Sequence, residues 1–218
     1  TGLYANGVGK ARWPSPQAPA QEETTMKHMA WRLVALMILA GALSAQGDQL
    51  GPYTYIVADS QATITGFDSG YTGDLLITNM LGGYPVTTIG NYAFFGCSGL
   101  TSVTIPNSVT TIGDSAFWGC SGLTAIEVSP DNSSYSSLGG VLFNKARTAL
   151  LRYPEGKAGA DYTILDSVTT IGDSAFWGCS GLTSVTIPNS VTTIGDWAFF
   201  GCSGLTAIEV SPDNSSYS

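Results

Sequence analysis

Histidine is nearly absent from this chain: among 218 residues there is one, His28. Charge is scarce too, since Asp, Glu, Lys and Arg make up 11% of the sequence, against roughly 25% in an ordinary soluble domain. The charge that exists leans one way, with eight basic and sixteen acidic side chains giving −8. Phosphate backbones are held by clustered cations, so nucleic acid is excluded as a partner. Long apolar runs are missing as well. The one extended run, residues 33–43 (LVALMILAGAL), has eleven residues, too few to cross roughly 30 Å of hydrocarbon as a helix, which argues against a permanent membrane span. Glycine and proline together number 37, below the level of a low-complexity coil, and no collagen period is present. What is there suits a packed fold: 44% apolar residues supply a core, and 24 serines with 24 threonines replace charge at the surface, which favours extended β structure.

The apolar run sits in a recognisable order. Met26 is followed by Lys27, His28 and Arg32, then the run, then SAQGDQ, the charged, apolar and small-residue sequence of a secretory signal. Residues 26–47 are therefore expected to be a signal peptide, cleaved after Ser44, Ala45 or Gly47, with no cysteine following to accept a lipid. Residues 1–25 show neither period nor apolar face and read as a non-native upstream extension, Met26 being the start. Removing residues 1–47 leaves four basic and fourteen acidic side chains, net −10, and no histidine. Ser-His-Asp and Cys-His nucleophiles and imidazole-held metals are then excluded.

The remainder repeats. VTTIGNYAFFGCSGLTSVTIPNS at 86–108 is followed by VTTIGDSAFWGCSGLTAIEVSPD from Val109, and a near-identical pair starts at Val168 and Val191, each step being 23 residues. Four copies at such a period predict a solenoid, in which a coil buries its apolar positions only by stacking on its neighbours. Within a copy, Leu123, Ile126 and Val128 mark a short strand with Thr124, Ala125 and Glu127 toward solvent, and Val109 with Ile112 marks a second extended piece. Gly113 turns the chain, Asp114 or Ser115 caps a single helical turn, and Ala116, Phe117 and Cys120 point inward. The expected fold class is a β-rich, right-handed solenoid with a parallel sheet and short helical turns.

The spacing from Val109 to Val168 is 59 residues, one period plus 36. Residues 141–143 and 149–153 read as strands around 144–147, and 162–165 resume the coil strand. The four cations outside the leader, Lys145, Arg147, Arg152 and Lys157, all lie here. They form either a docking site for an acidic partner or a solvated loop. Residues 203–218 are identical to 121–136, where the chain continues into the insertion, so the sequence reads as truncated at its C-terminal end.

The repeat unit resembles the BspA-type leucine-rich repeat family, known mainly from bacterial surface proteins. The resemblance is carried by Ile-Gly-Asp-x-Ala-Phe-x-x-Cys-x-x-Leu-x-x-Val-x-Ile-Pro at 171–188, with small changes in the other copies. ATITGF (62–67) and GGYPVTTIG (82–90) resemble the family's N-terminal cap, and 137–154 resembles its inserted coil. This implies a cap at 48–85 and a leucine-rich repeat solenoid over 86–218 with an irregular coil at about 132–167. It also implies an exported, non-catalytic, adhesin-like protein that needs no cofactor and binds a protein or surface glycan. The alternatives are the binding arm of a secreted enzyme whose catalytic domain lies beyond residue 218, and a structural spacer of the cell envelope.

Several constellations invite a chemical reading. Cys97, Cys120, Cys179 and Cys202 hold one place in each copy and should form a structural ladder of buried thiols. Disulfides 97/120 and 179/202 are the alternative, although parallel side chains reach the roughly 90° torsion poorly. Glu127 and Glu209 are the only carboxylates on the main strands. At roughly three strand steps, about 14 Å, they lie too far apart for a paired-carboxylate glycosidase. Asp114, Asp173 and Asp196 recur at the corner, where capping explains them, and no calcium-loop spacing is present. Phe95, Trp118, Trp177 and Phe200 align as an aromatic stripe that either grips a protein, stacks on sugar rings or forms a rim layer of the core. The default contact surface is the sheet face around Ser102, Thr104, Ala125, Glu127, Ser184, Thr186, Ala207 and Glu209. Asn132 and Asn214 open glycosylation sequons behind a leader of bacterial type.

Overall fold

A computed structural model describes residues 47–217; the upstream extension and nearly all of the expected signal peptide lie outside the described residues. The strands run β1 (Asp48–Leu50), β2 (Tyr53–Ala58), β3 (Gln61–Phe67), β4 (Gly73–Leu76), β5 (Met80–Leu81), β6 (Tyr84–Ile89), β7 (Leu100–Ile105), β8 (Thr111–Ile112) and β9 (Ala125–Val128). Then follow β10 (Tyr135–Leu138), β11 (Val141–Asn144), β12 (Ala149–Arg152), β13 (Asp161–Thr163), β14 (Thr170–Ile171), β15 (Ser184–Ile187), β16 (Thr193–Ile194) and β17 (Ala207–Val210). An antiparallel entry, β1-β2-β3, feeds about six stacked coils, each giving one longer and one short strand to parallel ladders. The longer strands of the regular copies lie in β4-β7-β9 and β13-β15-β17, their short Thr-Ile strands in β3-β6-β8 and β12-β14-β16, where β3, β6 and β12 run longer than the two-residue copies. Register follows the repeat, Val103 opposite Ile126 and Val185 opposite Ile208. Alternation along β7 sends Val103 and Ile105 inward and leaves Ser102 and Thr104 on the outer face, as the pleat requires.

The corner differs from the expected helical turn: no helix occurs among the described residues. Successive amide N–H groups instead point alternately within the coil and along the stack. Ala93, Phe95 and Cys97 donate to carbonyls three residues back, while Tyr92, Phe94 and Gly96 donate to Asp114, Ala116 and Trp118 of the next coil at 2.8–3.1 Å. A helical turn would keep every N–H within its own coil and leave the stack unpaired. The geometry places Tyr92, Ser115, Ser174 and Trp197 in the left-handed region, with φ between 52° and 58°. The corner side chains likewise bridge coils rather than cap helices: Asn91 Oδ1 accepts the Asp114 amide and Asp173 Oδ1 the Asp196 amide. This close approach explains Gly113 and Gly195, where a β-carbon would fall 2.6 Å from the nitrogen of Asn91 or Asp173.

The hydrophobic interior divides into two clusters, and β11 joins them: Leu142 packs into the first, its neighbours Val141 and Phe143 into the second. Side chains of one strand alternate in direction, so a single strand serves two cores. The next coil is shortened. Five residues separate Ile112 from Phe117, but three separate Leu150 from Tyr153, which takes the core phenylalanine's place and stacks on Phe176 at 5.3 Å. Arg152 and Glu155, both more than nine-tenths buried, bridge the resulting seam. The Arg152 guanidinium donates to Ser174 O and Phe117 O, one on each side, and to Glu155. Glu155 Oε1 accepts the Gly119 amide at 2.9 Å, where regular coils use a backbone carbonyl. Burial pushes the Glu155 carboxyl above the ordinary carboxylate range, with Arg152 opposing.

Candidate interaction surface

Phe95, Trp118, Trp177 and Phe200 are half-buried and form a continuous ridge, including across the seam. Ring centroids are 5.4 Å apart for Phe95–Trp118, 5.1 Å for Trp118–Trp177 and 4.3 Å for Trp177–Phe200. Pro154 holds the equivalent place in the shortened coil, by its spacing from Tyr153, and the two large indoles on either side meet. The structure adds two aromatic residues that the sequence reading missed, Tyr92 and Trp197, 37% and 58% exposed. They pack on Phe95 and Phe200, and also reach Trp118 and Trp177. The missed signal was compensation: copies with Phe in the ridge carry Tyr or Trp at the corner, and copies with Trp carry Ser115 or Ser174.

The two small serines leave a cleft of about 370 Å³ at the seam, lined by Asp114, Ser115, Asp173, Ser174, Arg152 and the apolar side chains of Phe117, Leu142 and Leu151 among others. Trp118 and Trp177 donate their amides to Ser115 O and Ser174 O, so cleft and indole pair lie at the two ends of the same turns.

The sheet-face candidates fall on two separate ladders: Ser102, Thr104, Ala125 and Glu127 on β7-β9, and Ser184, Thr186, Ala207 and Glu209 on β15-β17. Glu127 accepts the Ser137 hydroxyl at 2.8 Å, so the β10-β11 hairpin holds one of the two carboxylates. On the neighbouring strand, the Thr101 and Ser102 hydroxyls hold Asp74 below the usual carboxylate range.

The basic residues do not make one patch. Arg152 is buried at the seam, which removes it from any docking surface. Lys145 donates to Pro130 O and Asn132 O, and Arg147 to Ser137 O; Lys157 is half-buried on the far side of Glu155 in the chain. Nor can the sequon asparagines carry glycans in this fold. Asn132 and Asn214 are 0% and 2% exposed, and each amide nitrogen donates to two backbone carbonyls.

The four cysteines are buried free thiols. Cys120 and Cys202 donate to Phe94 O and Phe176 O of the preceding coil at 3.1 and 3.0 Å. The hydrogen bond to Cys97, then burial, pushes the Cys120 thiol far up, and Cys202 does the same for Cys179. The same pairing pulls their partners Cys97 and Cys202 down against burial, so it is the burial of all four that marks them as core thiols. Among the described residues no group of three or more His, Cys, Asp or Glu is placed to hold a metal, and no helix is long and apolar enough to cross a membrane.

Comparison with solved structures finds a leucine-rich repeat protein from Eubacterium ventriosum, 31% identical, with a TM-score of 0.50, covering 63% of this chain and 44% of that one. A leucine rich cell surface protein from Faecalibacterium prausnitzii is 21% identical, TM-score 0.46, covering 78% of each chain. A leucine-rich repeat protein from Treponema pallidum is 26% identical, TM-score 0.44, covering 73% of this chain and 69% of that one. This chain thus spans less than half of the Eubacterium protein. No curated protein sequence matches. The family described as the BspA type leucine rich repeat region matches residues 75–150 and 159–218 in six copies, in agreement with the six coils, and the chain belongs to this family of repeat proteins.

Proposed function

We propose that the chain is an exported, non-catalytic, adhesin-like protein that binds a partner protein through its aromatic ridge. The observation that carries this reading is the six-ring cluster, with Tyr92 and Trp197 exposed although their left-handed backbone costs of the order of 1 kcal/mol each. The left-handed corner recurs in every copy, so the signal is the choice of a large, exposed aromatic at Tyr92 and Trp197 where the other two copies carry serine. Protein is favoured over glycan because the rings turn toward one another: Trp177 and Phe200 lie nearly parallel at 24°, Trp118 and Trp177 edge to face at 78°. Sugar stacking needs open faces; anchoring of a partner needs only apolar bulk. Export rests on the leader sequence at 26–47 and on the family.

The test selects a phage-displayed peptide library on the wild-type chain and measures the selected peptides against Trp118→Ala/Trp177→Ala. Affinity is expected to fall about tenfold or more while circular dichroism at the assay temperature shows the fold retained, since anchor residues dominate such interfaces. Unchanged affinity would overturn the ridge as the binding site. For export, residues 26–60 fused ahead of alkaline phosphatase should activate the enzyme outside the cytoplasm.

A further inference from the structure

We propose that the seam cleft receives an arginine side chain of the partner, so that the ridge docks a basic protein surface; this rests on the protein-binding reading above. Shape comes first. At about 370 Å³ the cleft is near the small end of ligand pockets, roughly 300–1,000 Å³, with room for one long side chain rather than a folded-in peptide. Its origin is local: the shortened coil omits two corner residues, and the flanking coils carry Ser115 and Ser174 where the outer copies carry Tyr92 and Trp197.

Charge selects the occupant. Asp114 and Asp173, both exposed, line the cleft from opposite coils. Arg152 is the one cation of the lining, but it faces inward and is neutralised by Glu155. In regular corners the residue at this place accepts the next coil's amide, as Asn91 does from Asp114 and Asp173 from Asp196. The shortened coil brings no such amide to Asp114, so among the described residues nothing donates to its carboxylate. A guanidinium fits better than an ammonium, because its planar fork donates to carboxylates while its faces stack on aromatic rings. Phe117 and Tyr135 are the aromatic rings of the lining, and the indoles of Trp118 and Trp177, outside it, stand three residues along the same turns from Ser115 and Ser174 and report on its occupation.

The probe is acetyl-Gly-Arg-Gly-amide, titrated into the full chain labelled with fluorotryptophan and followed by fluorine NMR. The Trp118 and Trp177 resonances should shift saturably, and the matching citrulline peptide, neutral but of the same shape, should leave them in place. Asp114→Asn/Asp173→Asn should lower the affinity about tenfold, the loss of one charge-assisted contact pair. The variant should fold, since Asn91 holds the same corner in the first copy and an asparagine oxygen still accepts the Asp196 amide. Equal response to citrulline, no response to arginine, or undiminished affinity in the variant each overturns the proposal. If the tryptophan double variant still loses its selected peptides, the ridge stands and only the arginine assignment falls.

Discussion

Asn132 satisfies all of its hydrogen-bonding capacity in the core: its amide donates to Pro106 O and Val109 O, and its oxygen accepts the amides of Ser134 and Tyr135. Asn214 repeats the arrangement one repeat pair later. The turn so fixed aims the tyrosine hydroxyl at the edge of the short ladder, where Tyr135 accepts the Ile112 amide and Tyr217 the Ile194 amide. Replacing Asn132 with alanine orphans buried backbone groups that each cost about 1–3 kcal/mol, so a loss of about 3 kcal/mol is expected in a denaturant titration. The thiols give a second prediction at this scale. With all four buried and reduced, a thiol reagent should label none in the native protein and four after unfolding, whereas a 97–120 or 179–202 disulfide would leave two or none to label.

At the scale of the element, the shortened coil substitutes side chains for backbone. Where the chain cuts its corner, Phe117 O and Ser174 O each accept an amide of their own coil, from Cys120 and Trp177, and Arg152 adds a second donor to both from across the seam. Glu155 is the counter-charge, and its raised pKa fixes a pH dependence. The folded carboxyl holds its proton more tightly than the unfolded one, so stability rises as pH falls through the folded value toward the ordinary 4.5, and is lost as pH rises through that window. Melting curves from pH 7 to 4.5 should show this increment in the wild type, superimposed on general relief of acidic repulsion. Glu155→Gln should lack it, and an identical slope in both proteins would contradict the assignment.

Across the whole molecule, two cores meet at one seam, with the longer-strand ladders interrupted between β9 and β13. In a solenoid each coil is coupled only to its neighbours, so cooperativity depends on the weakest interface. Arg152→Ala leaves Glu155 buried without its counter-charge, at a cost of roughly 3–5 kcal/mol, and removes the guanidinium's bonds to Phe117 O and Ser174 O on either side of the seam. Urea unfolding followed by hydrogen exchange should then separate into two transitions, one for each cluster, where the wild type shows one. Persistence of a single transition would mean that Arg152 is not what couples the halves, and that β11, β12 and the Trp118–Trp177 contact suffice.

The 23-residue period, the inward Ala-Phe-Cys pattern, the strand positions and the interruption after the second copy were all determined by the sequence, because stacking gives every copy the same environment and the apolar positions must therefore recur. Non-repeating features were decided only by the tertiary structure. The corner looked helical because its residue types suit a cap, yet the stack claims alternate N–H groups for the neighbouring coil, a demand that no single copy displays. The basic residues looked like a cluster because they are close in sequence, yet Arg152 turns inside to bond the carbonyls on either side of the seam and Glu155. The acid-rimmed cleft arises where one coil is two residues short, and what a missing corner exposes depends on the coils above and below it, while Tyr92 and Trp197 join the stripe only because stacking brings the corners of the first and fourth copies against it.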